Sequence, residues 1–268
     1  MTNAAARRLA LLGVPALVFL GLPVVVLVGR ALASGSVFAA LTSPAVVDAL
    51  ALSAVTTSIA VALALVLGFP LAVLLARGRF RGRALIEAIV DLPIVLPPSV
   101  GGLALLLAFG RRGLLGEPLA AIGISLPFTT VAVILAQVFV AAPFFIRAAR
   151  AGIAGVEREL EDAARVDGAA ERHVLQFVTI PQAAPALAAG IVTCWARALG
   201  EFGATIMFAG AIAGRTQTLP LVVYGEFQST NLEASIAAAA VLVIAAVAAL
   251  LAVRGLGWGR ALDARGAG

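Results

Sequence analysis

Arg197 and Glu201 stand four residues apart in a run that is otherwise almost wholly apolar, Trp195-Ala-Arg-Ala-Leu-Gly-Glu-Phe-Gly-Ala-Thr205. On a helix that spacing places both side chains on one face. A guanidinium and a carboxylate are costly in hydrocarbon, so they turn toward a bundle interior, a partner or water. Two roles follow. The pair, with Thr205 one turn further on, lines a path or gate for a charged solute. Alternatively it is an ion pair that pins two helices, and Gly200 and Gly203 would let a neighbouring helix approach in either case.

A second constellation is Pro93-Ile-Val-Leu-Pro97-Pro98-Ser99. Prolines there remove backbone donors and force a kink or break. Non-helical backbone at membrane depth is tolerated only inside protein or beside a water-filled cavity. Pro97, Pro98 and Ser99 are therefore candidates to line a path, the alternative being a bent packing helix. Glu87 and Asp91, just before them, are placed to pair with nearby arginines.

Enzymatic chemistry finds little to work with. The chain has one His (His173), one Cys (Cys194) and no Lys. That excludes a disulfide framework, a self-contained Cys/His metal site and a Walker-type nucleotide site, which needs its lysine. No metal or cofactor is expected on this chain, and no nucleophile–base pair stands out. Cys194 reads as a small buried residue.

The elements that position these residues are membrane helices. Of 268 residues 62% are hydrophobic and only 12% charged. Apolar runs place six spans at roughly 9–29, 46–76, 85–109, 128–148, 185–209 and 234–253, each apolar on all sides as lipid requires. They form one membrane domain over 1–268 without internal repeats. Arg7, Arg8 and Ala31-Leu32-Ala33 offer a rival reading of the first span as a cleaved leader, but its apolar stretch has the length of a span.

All 19 basic residues are arginine. Fourteen lie at the termini and in the loops after spans two and four; four (Arg30, Arg111, Arg112, Arg215) lie in the intervening loops. Arginine-rich short loops stay in the cytoplasm, so both termini and the 155–182 loop are expected there. The basicity is thus a topological signal rather than a sign of nucleic-acid binding. The Gly110–Gly113 and Gly214–Pro220 loops fall outside, where they meet a binding protein or an incoming anion, or simply turn. A cysteine at Thr216 would then be reachable from outside.

The 155–182 loop is a polar island: Glu157-Arg-Glu-Leu-Glu161-Asp162-Ala163-Ala164-Arg-Val-Asp-Gly168, ending in Val178-Thr-Ile180-Pro181. Its mixed charges suit docking onto another protein. Gly168 stands where two short helices must turn. The spacing resembles the cytoplasmic coupling loop of ABC importer permeases, Glu-Ala-Ala, three residues, Gly, nine residues, Ile, one residue, Leu-Pro. Asp162, Val178 and Ile180 replace the Glu, Ile and Leu conservatively. With Asp91-Leu-Pro-Ile-Val-Leu-Pro-Pro98, Phe109-Gly-Arg-Arg-Gly113, Ala142-Pro-Phe144, Leu199–Met207 and Gly214–Pro220, the chain is similar to molybdate-type permease subunits over nearly its whole length. Sulfate permeases share the Glu-Phe-Gly-Ala stretch and the coupling loop. The first span, absent from some molybdate permeases, is commoner in sulfate and tungstate types.

The resemblance implies an all-α integral membrane protein with the type I ABC importer permease fold. It implies a homodimer in the bacterial inner membrane, with separate ATPase subunits holding the ATP and an extracytoplasmic oxyanion-binding protein above. In that reading Glu161, Asp162, Ala163, Ala164, Gly168, Val178, Ile180 and Pro181 couple to the ATPase. Arg197, Glu201, Thr205, Pro97, Pro98 and Ser99 line the path or gate. The competing class is an ion-coupled secondary transporter with Glu201 as its proton site. The long polar loop and the missing inverted repeat speak against it.

Overall fold

A computed structural model describes residues 3–253. Among them the chain is helical throughout, without strands. In order come α1 (Asn3–Ala33), α2 (Ser36–Thr42), α3 (Pro44–Arg77), α4 (Arg83–Val95), α5 (Pro98–Phe109), α6 (Gly116–Ala121), α7 (Thr130–Ala154), α8 (Arg158–Val166) and α9 (Glu171–Val174). A π-helical turn at Leu175–Thr179 then leads into α10 (Ile180–Leu199), α11 (Gly203–Phe208), α12 (Leu219–Gln228) and α13 (Leu232–Val253). Five helical runs are long and apolar enough to cross a membrane, and α4 with α5 makes a sixth, bent by 117°. The expected six spans are these. At about 1.5 Å per residue a 34-residue α3 is some 50 Å long, well beyond a hydrocarbon core of about 30 Å. It tilts or projects, and its last residue, Arg77, reaches the polar segment.

The centre of the bundle is α3, α7 and α10. Ala64, Ala72, Leu75, Ala141, Phe145, Ala149, Cys194 and Ala198 are buried between them, so alanines rather than large side chains set the spacing and the backbones come close. Cys194 is the small buried residue its setting suggested. A second cluster joins α5 and α11 to α7 through Leu105, Ala136, Val140, Ala204 and Phe208. A third joins α1, α2, α3, α12 and α13. Large apolar side chains such as Leu17, Phe19, Val66 and Leu107 are exposed, as befits surfaces solvated by lipid.

The first span runs on to Ala33 and the fourth to Ala154, and three further differences from the sequence reading change the architecture. The 85–109 span is two helices, because Pro97 and Pro98 cannot continue the hydrogen-bond ladder of α4 and Pro98 instead opens α5. The 185–209 span ends at Leu199, with Gly200 as its C-cap, and resumes as α11 after three residues. The 155–182 loop is shorter than expected. The helical run of the next span begins at Glu171, so Val178, Ile180 and Pro181 lie on helix rather than loop. Pro181, which has no amide to donate, follows directly on the π-helical turn, where the regular hydrogen-bond ladder is already interrupted. The segment between spans five and six also holds α12, which no apolar periodicity announced. The arginines at 254, 260 and 265 lie outside the described residues.

Candidate functional site

The polar segment is built around Glu161. Glutamates 159 and 161 in the first turn of α8 and Arg165 in its last turn suit the helix dipole. Glu161 is only 4% exposed. Its Oε1 accepts from Arg77 Nη2 at 2.8 Å and from Thr179 Oγ1 at 2.8 Å. The same Arg77 Nη2 donates to the Val156 carbonyl at 3.2 Å. One carboxylate thus ties the end of α3, the chain leaving α7, helix α8 and the π-helical turn.

Its neighbour Asp162 faces water and accepts from Arg165 at 2.7 Å. Arg165 also makes a two-pronged contact with Glu171, at 2.7 and 3.1 Å. The hydrogen bonds it donates to Glu171 and Asp162 push the Arg165 guanidinium above its already high pKa, so it stays charged. Gly168 turns the chain between α8 and α9 with φ +87°, a left-handed conformation that favours glycine. Its amide bonds the Arg165 carbonyl and that of Ala169 the Ala164 carbonyl. Amid this polarity Val166 and Phe177 are 87% and 67% exposed.

The second region is where the two broken spans meet. Helices α5 and α11 cross so closely that a Cβ on Gly102 would lie 2.7 Å from the Ala204 backbone. One on Gly203 would lie 2.8 Å from Pro98 Cβ and 3.1 Å from the Ser99 nitrogen. Next to this crossing Glu201 is 1% exposed. Its Oε1 accepts from the Ala204 amide at 2.7 Å and so serves the first turn of α11. Its Oε2 is 2.8 Å from Arg197 Nη1; the N–H points off that line, so the contact is ionic and Oε2 accepts no formed hydrogen bond.

Arg197 and Glu201 therefore do pair, although Glu201 lies past the end of α10 rather than on its face. The Arg197 side chain keeps 27% of its exposure. Thr205 is fully buried and its Oγ1 has no hydrogen-bond partner. Pro97, Pro98 and Ser99 lie exposed at the bend. The arrangement offers a partly accessible cation beside two helix breaks, with nothing to form or cleave a bond. Among the described residues no cluster of His, Cys, Asp or Glu is suited to hold a metal ion.

Residues 64–265 match the family described as the binding-protein-dependent transport system inner membrane component. The chain belongs to this family. It is 42% identical to the molybdenum transport system permease protein ModB of Mycobacterium tuberculosis, over 81% of each chain. It is 40% identical to the protein of that name from Escherichia coli K12, over 74% of this chain and 87% of that one. The sulfate transport system permease protein CysW of Synechocystis is 37% identical over 76% of this chain and 74% of that one. Among solved structures, a bacterial alginate ABC transporter in complex with its pentasaccharide-bound periplasmic protein shares the fold. Its TM-score is 0.70 at 18% identity, covering 93% of this chain and 91% of that one. The protein is an all-α, multi-pass membrane permease with the type I ABC importer fold.

Other placements in this permease were not visible in one dimension. Ser53 and Thr57 on α3 and Gln137 on α7 form a buried polar seam. Gln137 Nε2 donates to Thr57 Oγ1 at 3.3 Å, and Ser53 Oγ accepts from the Leu219 amide at 2.8 Å. The only sequence signal was a lone Gln within an apolar span. Glu87 does pair with Arg83, at 2.9 Å, and also with Arg150 of α7, at 2.8 Å, while Asp91 lies 3.7 Å from Arg147. The Gly214–Pro220 loop is not wholly a solvated turn. Thr216 is fully buried and its hydroxyl bridges the Ile212 amide and the Gly210 carbonyl. A cysteine at Thr216 would be shielded, contrary to the expectation from topology, whereas Arg215 next to it is exposed.

Proposed function

We propose that two copies of this permease form the path for a tetrahedral oxyanion, molybdate first, driven by separate ATPase subunits and fed by an extracytoplasmic binding protein. The observation that carries the substrate is the agreement of relatives named for molybdenum transport at 40–42% identity. Arg197, a partly accessible cation beside the two helix breaks, is the residue we assign to the anion, with Glu201 holding it in place. Sulfate is the second reading, favoured by the Synechocystis relative, and tungstate shares the geometry of molybdate.

The 155–182 segment is the part we assign to the ATPase. Its exposed Val166 and Phe177 offer apolar anchors within a charged surface, the pattern of a docking face. ATP-driven closure of the ATPase pair pulls the two segments together and opens the path outward; release reverses it. Both termini and the 155–182 segment then face the cytoplasm.

The test is reconstitution of the permease with its ATPase and binding protein in proteoliposomes. Molybdate uptake should require ATP, and tungstate should compete far better than sulfate. Uptake driven by a proton gradient without ATP would sink the proposal, and stronger competition by sulfate would reverse the order of substrates. Orientation is checked on intact cells with an impermeant thiol reagent, the native Cys194 being buried. A cysteine at Arg215 should be labelled, and cysteines at Arg79 and Arg172 should not.

A further inference from the structure

A cavity of about 420 Å³ lies between the end of α3, the end of α7, helix α8, the start of α9 and the π-helical turn. Val73, Ile153 and Leu175 supply apolar walls, and Arg77, Arg158, Arg165 and Arg172 supply cations. Three acids also line it, Glu161, Asp162 and Glu171, and all three are engaged by Arg77 and Arg165. Arg158 and Arg172 make no side-chain hydrogen bond or ion pair among the described residues. Arg77 spends its Nη2 on Glu161 and Val156. Its Nε, by contrast, is buried and has no partner. A buried guanidinium donor without an acceptor is rare. Arg77 lines a cavity large enough for an acceptor, and so do Arg158 and Arg172, both exposed and both uncommitted.

We propose that this cavity binds a phosphate-type tetrahedral oxyanion group, separately from the transport path. Guanidinium forks match the geometry of such a group two oxygens at a time. The cations already neutralised by Glu161, Asp162 and Glu171 shape the cavity. Arg158, Arg172 and Arg77 Nε supply the unsatisfied donors. The group has two possible sources. The apolar walls and the position at the polar end of the spans suit the headgroup of an anionic phospholipid, whose chains stay in the bilayer. A free inorganic oxyanion would use the same donors from the aqueous side. Because the cavity touches α3 on one side and α8 and α9 on the other, its occupant clasps the polar segment to the bundle.

The experiment uses the purified permease–ATPase assembly in neutral detergent and reads its thermal unfolding midpoint. Phosphatidylglycerol, phosphatidylcholine, inorganic phosphate and molybdate are titrated in turn. Phosphatidylglycerol, but not phosphatidylcholine, should raise the midpoint. Pairing Arg158→Gln with Arg172→Gln should raise the half-saturating concentration about tenfold, as for losing one good charge-assisted contact. Arg79→Gln with Arg81→Gln, which removes two exposed arginines outside the cavity, should leave the response unchanged. A response to phosphate or molybdate instead, lost in the same variant, identifies the soluble source for the same site. Should the glutamine pair fail to assemble, Arg158→Lys with Arg172→Lys keeps the charge and loses the fork, and it must still weaken the response. The proposal is overturned if no anion shifts the midpoint, or if the control pair loses the response as fully as the cavity pair. The readout is independent of uptake, so its failure leaves the transport reading untouched.

Discussion

Glu161 and Glu201 are both carboxylates withdrawn from water, and each has an arginine nitrogen 2.8 Å away. Their partners differ in kind. Glu201 finds its own within four residues, the Ala204 amide and Arg197. Glu161 finds Arg77, 84 positions earlier, and Thr179, 18 positions later. The first is a local device that restarts a broken helix while holding a cation. The second is a tertiary knot in which the ends of three elements share one oxygen. A local pair can be lost with little effect on the rest of the bundle. Loss of the knot frees the polar segment from the spans it must move with.

The largest effect should come from breaking the knot. Glu161→Leu leaves Arg77 mostly buried without its carboxylate, and stranding one partner of such a pair costs about 3 kcal/mol. Accumulation in the membrane should fall sharply, while Glu161→Leu with Arg77→Met should recover much of it. Recovery of protein without recovery of uptake would show that the knot transmits motion as well as holding the fold. If Glu161→Leu accumulates normally, the asymmetry between the two carboxylates is wrong.

Next is the crossing beside Glu201. Gly102→Ala puts a methyl carbon against the Ala204 backbone, which cannot swing aside as a side chain would, and overpacking of this kind costs about 2 kcal/mol. The melting temperature of the purified protein reports it. A change within error would mean that α5 and α11 can part, and would make the crossing a moving joint.

Smaller again is Glu201→Gln. The amide oxygen still accepts from Ala204, and only the charge opposite a partly exposed Arg197 is lost, about 1.5 kcal/mol. Adding Arg197→Met should restore expression but not molybdate uptake per folded protein. Full uptake in that double variant would reduce the pair to a structural one.

The smallest effect on stability is expected at Gly168, where a side chain meets open space and only the left-handed backbone resists. Gly168→Ala should cost about 1 kcal/mol and leave the membrane level unchanged. Association with the ATPase, measured by co-purification, should nonetheless drop. Normal association would remove the turn from the docking face.

The sequence revealed the parts of this permease that obey short-range rules. Six spans, their lipid-facing surfaces, the Gly168 turn and the Arg197–Glu201 pairing all follow from hydrophobicity and from separations of a few residues. The break at Pro97 and Pro98 was legible because proline acts on its own turn of helix. The break after Leu199 was not, since Gly200 alone does not end a membrane helix. Gly200 becomes the C-cap where Glu201 turns from α10 to accept the Ala204 amide and start α11. That Glu161 rather than Asp162 is the buried acid could not be read from two adjacent carboxylates. The choice is made by Arg77 and Thr179, which only folding brings within 2.8 Å. The polar seam of Ser53, Thr57 and Gln137 and the burial of Thr216 have the same origin. A polar group buried in an apolar bundle is costly unless it is partnered; composition sets that demand, and only the packing of α3, α7 and α12 decides which groups are partnered and which, like Thr205 Oγ1, are not.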